Sequence, residues 1–159
     1  TVSDRSSQGL RDDTSGALLR EFVKEIPAEI AGYCVVPDEG NRIQAAMISF
    51  ADDLACDVIL TTGGTGIGPR DVTPEATAGI LDKEIPGIGE ALRREGVRHN
   101  PHSVLSRGTA GVRKKSLIVN LPGSPEAVKE AFEALRPILI HAVKLIRGAV
   151  TDCQFSKVR

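Results

Sequence analysis

Two kinds of apolar spacing alternate along this chain. Leu18, Leu19, Phe22, Val23 and Ile26 repeat at helical intervals through residues 15–25. Residues 31–36 then read as a short strand ended by Pro37. Ile43, Ala46, Met47, Phe50 and Leu54 make a second helical stripe, for which Asp38 is a candidate cap. The apolar run at residues 58–61 predicts a buried strand, and a helix is expected at residues 74–83. Pro86-Gly87 interrupts the chain before a short helix through Arg94, and residues 116–121 give another apolar strand. From Pro125 the pattern is helical as far as Arg147, with Pro137 expected to divide it into two pieces. Strands alternating with helices predict an α/β sandwich around a mostly parallel sheet. Ligands in such sheets bind beyond the carboxyl ends of the strands, where the glycine loops of this chain also fall.

The turn after residues 58–61 carries the densest chemistry. Thr61-Thr62-Gly63-Gly64-Thr65-Gly66-Ile67-Gly68-Pro69-Arg70-Asp71-Val72-Thr73-Pro74-Glu75-Ala76 passes from the strand through a glycine loop and an Arg-Asp pair into a marked helix start. Thr73 is a candidate cap, Pro74 suits the first helical position, and Glu75 sits where the helix dipole favours a carboxylate. A strand, a glycine loop and a helix N-terminus together point backbone N–H groups outward and can hold a phosphate. The same glycines would also serve a plain strand-to-helix turn that needs positive φ. Two common nucleotide loops are excluded. No Lys-Ser or Lys-Thr follows these glycines, and the last glycine of a GxGxxG fingerprint is replaced by Pro69.

Asn120-Leu121-Pro122-Gly123-Ser124-Pro125-Glu126-Ala127 repeats that grammar, with a strand, a Gly/Pro turn, a capping hydroxyl and then Pro-Glu-Ala. It offers a second anion cradle, although hydroxyl-Pro-Glu is also a common way to begin a helix. Arg93, Arg94, Arg98, Arg107, Arg113, Lys114 and Lys115 share their stretch with one acid, Glu95. Such an excess is either a solvated face or an attractor of anions, and Ser106-Arg107 is the pair expected nearest a ligand. His99 and His102 lack metal-ligand spacing.

Composition narrows the classes. At 159 residues the chain is expected to form one domain, residues 1–159. Its 20 Lys+Arg against 21 Asp+Glu leave no overall field for nucleic acid, and four Phe, one Tyr and no Trp argue against base stacking. Cys34, Cys56 and Cys153 are isolated and read as reduced thiols of a cytoplasmic protein. No apolar run approaches the roughly 20 residues needed to span a membrane, and no signal peptide is visible. Thr1-Val2-Ser3-Asp4 reads as the tail of a strand whose start is truncated.

Asp4, Asp38, Glu39 and Asp71 fall at expected carboxyl ends of strands. A carboxylate beside a phosphate cradle is electrostatically awkward unless a cation lies between them, and Mg²⁺ is the usual one. Phosphoryl and nucleotidyl transfer need alignment and charge neutralisation more than a protein nucleophile. Asp71, flanked by Arg70 and the glycine loop, is the first candidate. Asp38 is the second, with helix capping as its other role.

These segments resemble the signature of the molybdopterin-binding family, which includes bacterial MogA and MoaB, molybdopterin adenylyltransferase domains of plants and animals, and the G domain of gephyrin. The resemblance is carried by Thr61 through Gly66 and Arg70 through Ala76. It extends in order to Thr1-Val2-Ser3-Asp4, Val36-Pro37-Asp38-Glu39, Glu84-Ile85-Pro86-Gly87, Leu105-Ser106-Arg107, Gly111-Val112-Arg113 and Asn120 through Pro125. It implies a three-layer α/β sandwich with a mostly parallel central sheet flanked by helices, commonly a homotrimer. The implied reaction is adenylation, in which Mg-ATP and molybdopterin give adenylyl-molybdopterin and pyrophosphate, ahead of hand-over to a molybdenum-insertion enzyme. By the same resemblance Asp71 and Asp38 are the catalytic and Mg²⁺-binding residues. The candidate substrate contacts are Ser3, Asp4, Thr62, Gly63, Gly64, Thr65, Gly66, Arg70, Ser106, Arg107, Asn120, Pro122, Gly123 and Ser124. The alternative is a MoaB-like carrier that binds molybdopterin without turnover; the intact segments 70–74 and 36–39 favour the active branch.

Overall fold

The computed structural model describes residues 1–149, so Cys153 lies outside the described residues. Along them run α1 (Asp4–Ser7), α2 (Thr14–Val23), α3 (Gly40–Ile48), β1 (Val58–Thr62), α4 (Thr73–Ala78), β2 (Lys83–Glu84), α5 (Pro86–His99), β3 (Ala110–Arg113), β4 (Ser116–Leu121) and α6 (Pro125–Ile146). A wider helical turn, Ser49–Asp53, continues α3, and a tight 3-10 turn, Pro101–Leu105, follows α5.

The sheet runs β1-β4-β3-β2. β1 and β4 are parallel, in register from Val58↔Leu117 to Thr62↔Leu121. β3 and β2 add an antiparallel edge. On the far side of β1, Val2 N–H donates to Thr62 O at 2.8 Å and Val2 bridges Val36 in parallel. The first residues therefore thread between β1 and the segment ending at Val36.

Every residue of β4 is buried, because both faces of the sheet are covered. Leu117, Val119 and Leu121 point into one layer with Leu19 of α2, Ile88 of α5 and Val128, Phe132, Leu135 and Leu139 of α6. Ile118 points the other way, onto Ile43 and Met47 of α3 and Ala76 and Ile80 around α4. This alternation yields the three-layer sandwich. Phe132 is fully buried and stacks on Phe22 with ring centroids 5.6 Å apart. Burial of a side chain of this size contributes roughly 1.5–3 kcal/mol. Among the described residues, no helix is long and apolar enough to cross a membrane.

Several expected elements differ. Residues 31–36 form no extended strand; only Val36 bridges, in parallel to Val2. α4 stops at Ala78, and Lys83–Glu84 pairs with Val112 and Gly111 as a strand instead of continuing the helix. Pro86 begins α5, where a missing N–H costs nothing, and the helix runs on to His99. Pro137 does not divide α6. Leu135 and Leu139 on either side of it are buried, and this packing holds the helix continuous. Leu54, assigned to the inward stripe, is 52% exposed, because the helix widens at Ser49–Asp53 and turns it outward.

Candidate active site

The parallel register of β1 and β4 delivers two loops to the same edge of the sheet. The glycine loop leaves after Thr62, and Pro122-Gly123-Ser124 leaves after its partner Leu121. Gly63 N–H donates to Leu121 O at 3.3 Å, and Thr62 Oγ1 donates to Pro122 O at 2.6 Å, so the loops are bonded where they begin. Between them and α5 lies a cleft of about 410 Å³. Gly64, Thr65, Gly66, Asp71, Ser106, Asn120, Pro122, Gly123 and Ser124 line it, which brings together most of the residues expected from sequence. Gly89, Arg93 and Gly96 of α5 and Asn100, His102 and Ser103 after it form the opposite wall. A larger cavity of about 710 Å³ opens beside α2, the end of α6 and the start of β1. It is mainly apolar and reaches only Thr62 of the expected residues, so the smaller cleft is the better candidate.

The glycine loop is shaped by positive φ at Gly63 (+98°) and Gly64 (+63°), a conformation L side chains rarely adopt. A Cβ on Gly64 would lie 2.4 Å from Thr73 Oγ1 and 3.0 Å from Asp38 Oδ1. Thr73 does not cap α4. It is the first residue of that helix, and its Oγ1 donates to Gly63 O at 3.0 Å while its N–H donates to Gly64 O at 3.1 Å. Among the described residues, the backbone N–H groups of Gly64, Thr65, Gly66 and Ile67 donate no hydrogen bond. All four residues line the cleft. A run of unpaired amides at a cleft wall is a surface able to receive an anion.

Carboxylates flank this run. Asp71 folds back on the loop, accepting from Gly68 N–H at 2.8 Å. Asp38 is not a helix cap: Glu39 precedes α3 without a side-chain cap bond, and Asp38 Oδ2 instead accepts from Asp4 N–H at 2.8 Å. Burial pushes the Asp38 carboxyl up, and the charges of Asp4 and Asp71 add to this. Asp4 is held below the usual carboxylate range by Arg70, which grips it through two hydrogen bonds of 3.1 and 3.0 Å, and by the Asp38 N–H. Among the described residues, no group of three or more His, Cys, Asp or Glu side chains is assembled for a metal. Mg²⁺ typically takes one or two carboxylates and completes its shell with water and substrate phosphate oxygens. Asp71, folded back on the loop, and Asp38, whose Oδ1 stands next to Gly64, are two carboxylates beside the unpaired amides and fit that donor set.

Other expected contacts have partners within the protein. Asn120 is 2% exposed, and its Nδ2 donates to Thr61 Oγ1 at 3.0 Å and Thr77 Oγ1 at 2.9 Å. Its Oδ1 accepts from Thr109 N–H at 3.3 Å. Ser3 caps α1 through Ser6 N–H, and Arg70 is committed to Asp4. Arg107 donates to Gly66 O and Asp71 O, both at 2.7 Å, and pairs with Glu75. The basic stretch is largely dispersed into such contacts. Arg93 donates to Gly108 O at 3.1 Å, Arg98 pairs with Glu95, and Arg113 and Lys114 share Asp52, whose carboxyl they lower to about 2. Sequence reasoning missed Ser15, 6% exposed, whose Oγ donates to Gly123 O at 2.7 Å and fixes the second loop from α2. The signal was faint, a buried hydroxyl beside Gly16 near a helix start.

Residues 1–141 match the family described as "Probable molybdopterin binding domain". The molybdopterin adenylyltransferase of Helicobacter pylori (strain ATCC 700392 / 26695) is 42% identical over 151 residues, covering 93% of this chain and 85% of that protein. The enzyme of the same name from Escherichia coli (strain K12) is 36% identical over 150 residues, covering 90% and 76%. Among solved structures, the molybdopterin biosynthesis enzyme MoaB of Thermus thermophilus is 48% identical, with a TM-score of 0.88 and 92% of each chain covered. With a family match across residues 1–141 and a relative 42% identical over 93% of its length, this chain belongs to the molybdopterin-binding family.

Proposed function

We propose that this chain is a molybdopterin adenylyltransferase of molybdenum cofactor biosynthesis. The observation that carries the reading is the run of unpaired amides at Gly64, Thr65, Gly66 and Ile67, which lines one cleft with Asp71, while the Asp38 carboxylate stands next to Gly64. The relatives of that name, at 42% and 36% identity, support it. The amide run would bind one anionic substrate. The Gly123 and Ser124 end of the cleft, with the Ser106 hydroxyl, would hold the other.

The terminal phosphate of molybdopterin supplies the attacking oxygen. A bond forms from that oxygen to the α-phosphorus of ATP, the bond from the α-phosphorus to its bridging oxygen breaks, and the electron pair leaves on pyrophosphate. No protein nucleophile is needed, so the residues serve to align two polyanions and tolerate their charge. Asp38 and Asp71 would hold Mg²⁺, which when bound supplies positive charge to the phosphate oxygens. A cytoplasmic homotrimer that hands its product to a molybdenum-insertion enzyme belongs to the same proposal and follows from the resemblance.

The test is incubation of the purified chain with molybdopterin, ATP and Mg²⁺, followed by mass analysis and pyrophosphate assay. The adenylated pterin together with pyrophosphate supports the reading. Pterin binding with no pyrophosphate reduces the chain to a carrier, and hydrolysis of nucleotide without pterin makes it a different enzyme.

A further inference from the structure

Arg107 lies behind the glycine loop, and its contacts are almost all with backbone oxygen. Its N–H donates to Thr65 O at 2.8 Å, its Nε to Gly66 O at 2.7 Å, and one terminal nitrogen to Asp71 O at 2.7 Å. The other terminal nitrogen meets the Glu75 carboxylate and holds it below its ordinary pKa. Arg107 is itself braced. Arg93 of α5 donates to the carbonyls on either side of it, Ser106 O at 3.4 Å and Gly108 O at 3.1 Å.

A trans peptide unit points its C=O and N–H in opposite directions, and no cis peptide occurs among the described residues. A loop whose Thr65 and Gly66 carbonyls are drawn to Arg107 must therefore turn the N–H groups of Gly66 and Ile67 away from it. Those are two of the amides that donate no bond and line the cleft. The Asp71 carbonyl is held by the same guanidinium, so the orientation of the amides and the place of the carboxylate are set together.

We propose that Arg107 is a positioning residue: it collects the loop carbonyls so that the amides face the cleft with Asp71 beside them, and it does not bind substrate itself. Only a planar fork with several donors can span the Gly66 and Asp71 carbonyls and the Glu75 carboxylate, while the Arg107 N–H holds Thr65 O through the main chain. Lysine has the charge but a single compact head on a flexible stem.

The test compares Arg107→Lys and Arg107→Ala with the wild type, and its catalytic arm rests on the adenylyltransferase reading. Backbone amide NMR of the ligand-free, ¹⁵N-labelled protein is the first readout. The Ile67 and Val72 signals, whose peptide units carry the Gly66 and Asp71 carbonyls held by the guanidinium, are expected to move in both variants. In steady-state assays kcat is expected to fall roughly 100-fold in both, the scale of a misplaced reacting group. Should Arg107→Ala fail to fold, Arg107→Lys carries the test. Unmoved loop amides together with a raised KM for ATP would make Arg107 a substrate contact and overturn the proposal. Wild-type kcat in Arg107→Lys would overturn it as well. If the wild-type chain releases no pyrophosphate, the adenylyltransferase reading fails while the amide signals still decide the role of Arg107.

Discussion

Asp4 and Asp38 hold each other through a reciprocal pair of hydrogen bonds. Asp4 N–H donates to Asp38 Oδ2 at 2.8 Å, and Asp38 N–H donates to Asp4 Oδ1 at 3.0 Å. Two segments distant in sequence are joined at the edge of the sheet, and two negative charges are brought within each other's field. Arg70 binds the Asp4 side of the pair, and Asp38 Oδ1 accepts no hydrogen bond among the described residues. The arrangement keeps one carboxylate oxygen available beside the glycine loop.

Its cost falls on the Asp38 proton. Burial first, then the charges of Asp4 and Asp71, raise its pKa. A carboxyl whose folded pKa lies above its unfolded value adds stability below the unfolded pKa and loses it as pH rises through the folded one. Asp38→Asn is therefore expected to melt at or above the wild-type temperature at pH 7, and to lose that advantage below about pH 4. Thermal melts at both values check this. A variant that melts lower than the wild type at pH 7 would contradict it.

The same coupling reaches the pH profile. If turnover needs Asp38 ionised, activity falls on the acid side as it protonates. Asp4→Asn removes a like charge and frees the Arg70 cation, and both changes favour the Asp38 carboxylate. The acid limb of pyrophosphate release is expected to move to lower pH in this variant. No displacement, or one to higher pH, would separate the limb from Asp38.

Gly63 and Gly87 make a matched comparison. At Gly63, φ is +98° and a Cβ would lie 2.2 Å from the Val2 carbonyl oxygen, whereas at Gly87 in α5 nothing lies within 4 Å. Gly63→Ala is expected to lose at least roughly 1–3 kcal/mol from the backbone conformation alone. Gly87→Ala is expected to be neutral or to gain about 0.4–1 kcal/mol. Urea unfolding of both variants measures the contrast, and equal effects would refute it.

Asn120 is a structural member of the cleft wall. Truncation to alanine leaves the hydroxyls of Thr61 and Thr77 and the Thr109 N–H without their shared partner. Asn120→Ala is expected to lose about 1–3 kcal/mol per buried group left unsatisfied. Chemical denaturation reads that loss. An unchanged midpoint with pterin binding abolished would instead make the side chain a ligand contact.

Asp71 is expected to separate turnover from binding. Asp71→Asn keeps the bond from Gly68 N–H but removes the charge, so pyrophosphate release should fall by at least roughly 100-fold while molybdopterin affinity stays within a few-fold. EDTA should likewise stop pyrophosphate release by the wild type. Parallel loss of affinity and rate in Asp71→Asn, or full activity in EDTA, would remove the acid from the proposed metal-holding role.

Much of the cleft was legible in the order of residues. The glycine loop, Asp71, Ser106 and Pro122-Gly123-Ser124 stand on it as their motifs suggested. The reason is local: turn glycines, a prolyl helix start and a capping hydroxyl such as Ser124, which accepts from Ala127 N–H at 3.3 Å, act over a few residues and leave their mark along the chain. Misreadings fell where distant segments meet. Lys83–Glu84 became a strand because β3 lay alongside, and Pro137 was carried through α6 by the buried leucines around it.

Side-chain partners were the least readable part. Arg107 and Asn120 are polar residues in suggestive motifs, and nothing in the order of residues says whether their donors face a ligand or the protein's own carbonyls and hydroxyls. Periodicity and turn chemistry established the layers, the edge that bears the loops, and the acids beside them. The parallel register of Thr62 with Leu121 and the pairing of Asp4 with Asp38 arose only once the chain had packed. So did the turning of the loop carbonyls toward Arg107. A hydrogen bond depends on distance and direction in space, and partners as far apart in the chain as Asp4 and Asp38, or Asp71 and Arg107, come within its reach only through the core that joins them.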